Sequence, residues 1–234
     1  MRILCVVPAR GGSKGVPRKN LREVAGKPLI AWTVEQAIAA RPSMDVVVST
    51  DDEEIAAAAR ASGAAVPFLR PRTLAQDTTP TEPVVRHAIE EARAAGTAPD
   101  AVMLLQATSP VRLPGTIDRA IAQFLATEVD SLVGVVPQAP FIWTGGVTPT
   151  AAYDVDARPR RQDLTPATLR YRETGSLYLT RPWVYEERDN RLGGRVGLFV
   201  MDEVEGTDVD TELDLLVAEQ VLLGLVTPTT GSTS

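Results

Sequence analysis

Short apolar segments alternate with longer, helix-like segments over the first 136 residues, and this alternation restricts the fold more than any other feature. The apolar segments have the length of buried strands, and the intervening segments have the length and periodicity of helices. Predicted strands cover 3–7, 45–49, 101–105 and 131–136, and predicted helices cover 28–40, 52–62, 81–96 and 114–127. Strands alternating with helices predict an α/β protein with a mostly parallel sheet and helices on both faces.

The alternation breaks at 137–168, a segment rich in Pro, Gly, Arg and Asp. We interpret it as an excursion from the main sheet and expect a small β-rich or dimerising subdomain there. Regular patterns return with predicted strands over 175–179 and 196–201 and a helix over 212–225. We expect one domain over 1–226 and a disordered polar tail over 227–234, TPTTGSTS.

Charge and cysteine content exclude several classes of protein. The net charge of -6 argues against a partner made of nucleic acid, which favours basic proteins. No apolar stretch approaches the roughly 20 residues that span a bilayer, and the first one is too short for a signal peptide. One cysteine permits no internal disulfide. We therefore expect a cytoplasmic protein without a membrane partner.

A glycine-rich loop, PARGGSKGVPRKN over 8–20, follows the first predicted strand. Ligands bind at the carboxyl ends of strands in open α/β sheets, and glycine amides with nearby cations suit phosphate. The chain has 21 arginines but three lysines, and all three lie within 14–27. The spacing is neither that of a Walker loop nor G-x-G-x-x-G. A solvated basic loop is the alternative, and the clustered lysines favour an anion site.

The loop resembles the opening of the acylneuraminate cytidylyltransferases, or CMP-sialic acid synthetases: I-P-A-R-G-G-S-K-G-I-P-x-K-N, then G-K-P-L-I-x-x-T-I. This chain reads VPARGGSKGVPRKN and GKPLIAWTV. The likeness continues in the same order through VSTDDEEIA, FLRPRTLAQDTTPT, LLQATSPVR, ETGSLYL and DVDTELDLLVAE. It implies a Rossmann-like nucleotidyltransferase fold that forms a homodimer through a small dimerisation subdomain.

The resemblance also assigns roles to individual residues. It implies that CTP is bound by Arg10, Gly11, Gly12, Ser13, Lys14, Lys19, Asn20 and Arg70. It implies that the acidic sugar is contacted by Gln106, Arg161 and Tyr178, with Arg161 receiving the carboxylate. Ala107, Gln138 and Thr174 depart from the family pattern, and we expect them around the sugar pocket.

Two aspartates, Asp208 and Asp210, flank Val209 near the end of the chain. An extended segment would point both carboxylates to one side, and such oxygens suit Mg²⁺. Alternatively, Asp210 caps the helix that follows, where Thr211 and Asp214 resemble a capping box. Spacing leaves both interpretations open, and the resemblance favours the metal site.

The implied reaction is attack of the sugar's anomeric hydroxyl on the α-phosphorus of CTP, with loss of pyrophosphate. Lys14 is expected at the α-phosphate, and Arg10 and Lys19 at the leaving pyrophosphate. Asp208 and Asp210 would bind Mg²⁺, and Asp210 would act as the base, directly or through a metal-bound water. Two alternatives stay open: a cytidylyltransferase for another acidic acceptor, such as a Kdo-like sugar or a phosphonate, and a non-catalytic nucleotide-binding regulatory domain.

Three further polar residues are predicted to have structural roles. Asp51 and Asp52 precede a predicted helix, where acids stabilise the helix start. Cys5 lies among apolar residues of the first strand and is expected to be inert.

Overall fold

The computed structural model describes residues 1–13 and 15–226; Lys14 and the tail predicted to be disordered, 227–234, lie outside the described residues. The strands are β1 (Ile3–Pro8), β2 (Glu23–Val24), β3 (Lys27–Pro28), β4 (Asp45–Ser49), β5 (Ala101–Leu104), β6 (Ser131–Gln138), β7 (Trp143–Thr144), β8 (Thr150–Ala151), β9 (Arg170–Thr180) and β10 (Val196–Val200). The helices are α1 (Leu29–Ala39), α2 (Glu53–Ala61), α3 (Thr81–Ala94), α4 (Thr116–Ala126), α5 (Pro182–Arg188) and α6 (Glu212–Val226).

The main sheet has six strands in the order β10-β6-β9-β5-β1-β4. β4, β1, β5, β6 and β10 run in one direction, and β9 runs antiparallel between β5 and β6. The prediction of a mostly parallel sheet is confirmed. The direction of β9 was not predicted, and it follows from the excursion, which returns the chain directly beside β6.

Side chains of β1 alternate between the two faces of the sheet, because successive residues of a strand point in opposite directions. Ile3, Cys5 and Val7 pack in one core cluster with residues of α1, α2 and α4. Leu4 and Val6 pack in a second cluster with residues of α3 and α5. Helices on both faces are therefore confirmed.

Helix α6 packs the end of the chain against the segment that follows the glycine-rich loop. Leu215, Ala218 and Leu222 of α6 form a third cluster with Trp32 of α1. Val209, just before the helix, is fully buried in the same cluster. This packing holds the segment of the two aspartates beside the glycine-rich loop.

The excursion covers 139–169, since β6 extends to Gln138 and β9 begins at Arg170. It contains the two-stranded sheet β7–β8 and a 3-10 helix, Arg161–Asp163. Its aromatic side chains touch edge to face, with ring centroids 5.4 Å apart for Phe141 and Tyr153. The dimerising role of this segment stays a prediction.

Within 1–13 and 15–226, no helix combines the length and the apolar character required to cross a membrane.

Candidate active site

A cleft of about 450 Å³ opens at the carboxyl ends of β1 and β5. It lies where open α/β sheets bind ligands. Seven residues with predicted roles line it: Arg10, Ser13, Lys19, Asn20, Arg70, Gln106 and Asp210. The fold thus gathers residues that are up to 200 positions apart in the sequence.

Hydrogen bonds from neighbouring segments shape the first turn of the glycine-rich loop. The Asn20 side-chain amide donates to the Arg10 carbonyl oxygen (3.1 Å), and the Gly11 N–H donates to Asp51 Oδ1 (3.1 Å). A Cβ at Gly11 would lie 2.6 Å from Asp52 Oδ2, so this position has no room for a side chain. Asp52 caps α2 as predicted, whereas Asp51 holds the loop.

The loop meets the C-terminal aspartates through Lys19 and Gly15. The Lys19 ammonium is 9% exposed and donates to the Val209 carbonyl oxygen and to Asp210 Oδ1, the latter at 3.1 Å. A Cβ on Gly15 would overlap the carbonyl oxygen of Asp210. Lys19, a predicted phosphate-binding cation, therefore contacts Asp210, a predicted metal ligand.

Asp208 and Asp210 flank the buried Val209, and of the two aspartates Asp210 is the one among the described residues that line the cleft. The Val209 N–H donates to the Thr108 carbonyl oxygen (2.8 Å), which anchors the segment to the loop after β5. Asp208 Oδ1 accepts a hydrogen bond from Ser109 Oγ at 3.2 Å. The Asp210 side chain is 75% exposed, so a ligand in the cleft can reach it.

The start of α6 is capped by Thr211 and Asp214. Asp214 Oδ2 accepts from the Thr211 N–H (2.8 Å) and hydroxyl (2.8 Å), and the Asp214 N–H donates to Thr211 Oγ1 (3.2 Å). Hydrogen bonds, first that of the Thr211 hydroxyl, hold the pKa of Asp214 below its ordinary value. Among the described residues, no N–H of α6 donates to the carboxylate of Asp210. The Asp210 carboxylate is thus available for chemistry in the cleft.

The Gln106 side chain lies against Gly175 of β9. A Cβ on Gly175 would overlap Gln106 Oε1 and lie 3.2 Å from Ser109 Oγ, so β9 can approach only because residue 175 is glycine. The Gln106 carbonyl oxygen accepts from the Ser109 N–H (3.2 Å) and from Arg112 Nη2 (3.2 Å).

Two arginines add positive charge to the cleft. Arg10 Nη1 donates to Asp77 Oδ1 at 2.6 Å, and the buried Arg70 donates through Nη2 to the Ser49 carbonyl oxygen at 2.6 Å. Burial lowers the pKa of Arg70, and the nearby Asp51 opposes this effect. Buried guanidinium groups beside backbone amides suit a ligand that carries phosphate groups.

Sequence comparison identifies the class of ligand. Residues 4–196 match the family model described as Cytidylyltransferase.

The chain belongs to the cytidylyltransferase family.

This cytidylyltransferase is 32% identical over 224 residues to the pseudaminic acid cytidylyltransferase of Campylobacter jejuni, covering 94% of this chain and 95% of the relative. It is 34% identical over 234 residues to the CMP-N,N'-diacetyllegionaminic acid synthase of Legionella pneumophila, covering 95% and 97%. A solved structure of CMP:2-keto-3-deoxy-manno-octonic acid synthetase with CTP matches at a TM-score of 0.71 and 16% identity, over 96% of this chain and 99% of that one, and shows the shared fold. The resemblance drawn from the sequence motifs is confirmed.

Two predicted sugar-binding residues of the cytidylyltransferase are not among the described residues that line the cleft. Arg161 lines a separate cavity of about 370 Å³ at the base of the excursion, with Phe141 and Arg172. Tyr178 is 3% exposed, and its hydroxyl donates to Glu173 Oε1 at 2.6 Å. Burial, followed by this hydrogen bond, raises the pKa of Tyr178.

The expected position of the three family departures around the sugar pocket stays a prediction, and the structure gives their surroundings. Ala107 is buried in the core on the α1 side of the sheet. Thr174 is also buried, and its hydroxyl donates to the Gly134 carbonyl oxygen at 3.0 Å. Gln138 lines the cavity that contains Arg161. Ala107 and Thr174 are not among the described residues that line the cleft.

Sequence reasoning missed Arg112, Glu205, Ser109 and Asp77. Arg112 and Glu205 are 4% and 0% exposed, although both residue types normally lie at protein surfaces. The partners of Arg112 on α1 and β9 are distant in sequence, so no local pattern marked it. Glu205 forms a capping box with Asp202 three residues earlier, and that spacing was the available signal for it. The segment QATSP, directly after a predicted strand, was the available signal for Ser109.

Proposed function

We propose that this cytidylyltransferase transfers CMP from CTP to the anomeric hydroxyl of a nonulosonic acid, a sialic-acid-type sugar, and releases pyrophosphate. The observation that carries the proposal is the meeting of the cationic glycine-rich loop, Gln106 and Asp210 in one cleft. Relatives that are 32 to 34% identical over 94 to 95% of the chain are named for pseudaminic and legionaminic acids, and this similarity supports the acceptor class.

The nucleotide would bind on the side of the glycine-rich loop. Arg10, Ser13 and Lys19 line the cleft there, and Lys14 belongs to the same loop by sequence. The Lys19 ammonium donates to Asp210. When the triphosphate binds, its oxygens would attract the same ammonium group. Such transfer depends mostly on positioning and on neutralising phosphate charge.

The residues fit a magnesium site formed by Asp208 and Asp210. Their carboxylates are hard oxygen ligands two residues apart; Asp210 lines the cleft, and Asp208 accepts a hydrogen bond from Ser109 beside it. No group of three acidic, histidine or cysteine side chains in the described ranges could enclose a metal ion. Mg²⁺ keeps several waters and also binds substrate phosphates, so two protein carboxylates would be enough to hold it. When bound, the ion would neutralise phosphate charge.

Asp210 is the proposed base. Its exposed carboxylate would accept the proton of the anomeric hydroxyl as that oxygen bonds to the α-phosphorus and the bond to pyrophosphate breaks. Gln106, held against Gly175, would orient the acceptor by hydrogen bonding.

Arg161 does not line the cleft of its own chain. In a homodimer, it could reach the cleft of the partner copy. The excursion exposes Ile142 and Trp143, at 38% and 51%, which suits burial against a second copy. We propose that Arg161 of each copy binds the acceptor carboxylate in the cleft of the other. Mixing inactive Asp210→Asn and Arg161→Ala chains after joint refolding should then restore activity, to roughly a quarter of wild type by random pairing. No restored activity would contradict the shared site.

The central test is pyrophosphate release from CTP, ATP, GTP and UTP with a panel of sialic, pseudaminic and legionaminic acids, a Kdo-type sugar and a phosphonate. CTP should be used with at least one nonulosonic acid, and the other nucleotides should be poor. Turnover with the Kdo-type sugar or the phosphonate alone would favour another acceptor class. Binding of CTP without any turnover would favour a regulatory domain.

A cytoplasmic location is part of the proposal. The free cysteine, Cys5, is buried in β1, and proteins without disulfides suit a reducing compartment.

A further inference from the structure

A buried arginine lies beneath the acceptor side of the cleft. Arg112, in the loop between β5 and α4, is 4% exposed. Its Nη1 donates to Thr33 Oγ1 (3.1 Å) and Gln36 Oε1 (3.0 Å), both on α1. A buried guanidinium requires such partners, because an unpaired buried charge is strongly destabilising.

The other end of the guanidinium binds the backbone at the cleft. Nη2 donates to the Gln106 carbonyl oxygen (3.2 Å) and to the Ser176 carbonyl oxygen (2.6 Å). Gln106 lines the cleft, and its side chain packs against Gly175. Ser176 is the residue after Gly175. Arg112 therefore links the two backbone segments that enclose Gln106 and connects both to α1.

Nearby carboxylates help to keep this cation charged. Burial lowers the pKa of Arg112 to about 10, and Glu205 and Asp208 are among the groups that oppose the decrease. Glu205 is fully buried and accepts hydrogen bonds from the Leu113 N–H (2.9 Å) and the Asp202 N–H (2.9 Å). At neutral pH the guanidinium stays protonated and keeps its four hydrogen bonds.

The planar shape of the group explains the choice of arginine. A guanidinium can donate in two directions at once, to α1 and to the cleft wall, whereas a lysine ammonium is a compact point on a flexible stem. We propose that Arg112 is a positioning residue that fixes Gln106 for the acceptor sugar, an inference that rests on the proposed function. It touches neither substrate, so its effect should fall on the acceptor and leave CTP binding intact.

The test compares Arg112→Lys and Thr33→Val with wild type. Thr33→Val keeps the shape of a fully buried residue and removes one acceptor of Nη1, so it preserves a folded protein even if Arg112→Lys does not fold. We expect kcat/KM for the acceptor to fall roughly 100-fold in Arg112→Lys and about 3- to 10-fold in Thr33→Val. The Kd for CTP, measured by calorimetry, should stay within about threefold of wild type.

The control is Thr180→Val, which removes an equally buried hydroxyl from the far end of β9, where it donates to the Arg191 carbonyl oxygen at 2.7 Å. Its acceptor kinetics should equal wild type. Equal losses in Thr180→Val and Thr33→Val would show general destabilisation and overturn the inference.

A double-mutant cycle with Gln106→Ala completes the test. If Arg112 acts through Gln106, Thr33→Val and Arg112→Lys should cost almost nothing more once Gln106 is truncated. Fully additive losses, or wild-type kinetics in the single variants of an active enzyme, would overturn the role of Arg112 and leave the proposed function standing. A wild-type protein inactive with every acceptor would overturn the proposed function and this inference with it.

Discussion

Replacing Asp210 by asparagine separates chemistry from helix capping. The change removes a negative charge and preserves the shape of the side chain. The Asp210 carboxylate lines the cleft and accepts a hydrogen bond from Lys19 at 3.1 Å. Thr211 and Asp214 cap α6 by themselves. The substitution should therefore affect activity far more than stability.

The expected magnitudes follow from these contacts. Asp210 is 75% exposed, so its pairing with Lys19 contributes about 0–1 kcal/mol to the free energy of unfolding. For a chain of this size, 1 kcal/mol corresponds to a change in Tm of roughly 2–4 °C. Loss of a general base lowers kcat by about 10²–10⁴-fold. A neutral amide is also a poorer ligand for Mg²⁺, so added Mg²⁺ should restore little activity.

The assay pairs pyrophosphate release with thermal melting, and Asp214→Ala is the matched control. It removes the acceptor for the Asp210 N–H and for the Thr211 N–H and hydroxyl but keeps the Asp210 carboxylate, so it should cost about 1 kcal/mol of stability and keep kcat within a few-fold of wild type. A stable, fully active Asp210→Asn enzyme would refute the assignment. So would an Asp214→Ala enzyme that loses activity while Asp210→Asn retains it.

Three other perturbations test the same structure. The Thr211 hydroxyl is the first cause of the depressed pKa of Asp214, and the ionised Asp214 stabilises the folded state at pH values above the ordinary pKa of 3.8. As the pH falls below 3.8 this stabilisation is lost, so the Tm difference between wild type and Asp214→Ala should shrink. A constant Tm difference from about pH 2 to 7 would contradict this. Gly175→Ala should displace the Gln106 side chain and raise the acceptor KM about tenfold or more in steady-state kinetics, with CTP binding unchanged, whereas wild-type kinetics would contradict the close packing. Burial raises the pKa of Cys5 to about 12, so at pH 8 a disulfide reagent should detect no thiol in the native protein and one after denaturation.

Local sequence patterns determined most of the secondary structure and part of the site. Strand β4 has its predicted limits, and helix α2 differs from its prediction by the capping residues at its two ends. The capping box of Thr211 and Asp214 could also be predicted from the sequence, because its two residues are three positions apart. These features depend on short-range periodicity and on hydrogen bonds within one turn, which the order of residues encodes directly.

The glycine-rich loop was recognised from its motif, but its geometry depends on distant residues. Gly11 is held by Asp51, and Lys19 reaches Asp210 across 191 positions. The direction of β9 was not predicted, because the excursion that returns the chain beside β6 carries no regular pattern. Helix α5, which has seven residues, was also not predicted.

Only the tertiary structure decided which residues share the cleft. It surrounded Gln106 with Gly175 and Arg112, and it left Arg161 in a separate cavity. It also buried Thr174, whose hydroxyl donates to the Gly134 carbonyl oxygen. Packing between distant segments determines whether a polar side chain faces a ligand or a carbonyl oxygen inside the protein, and neither residue type nor local spacing contains that information.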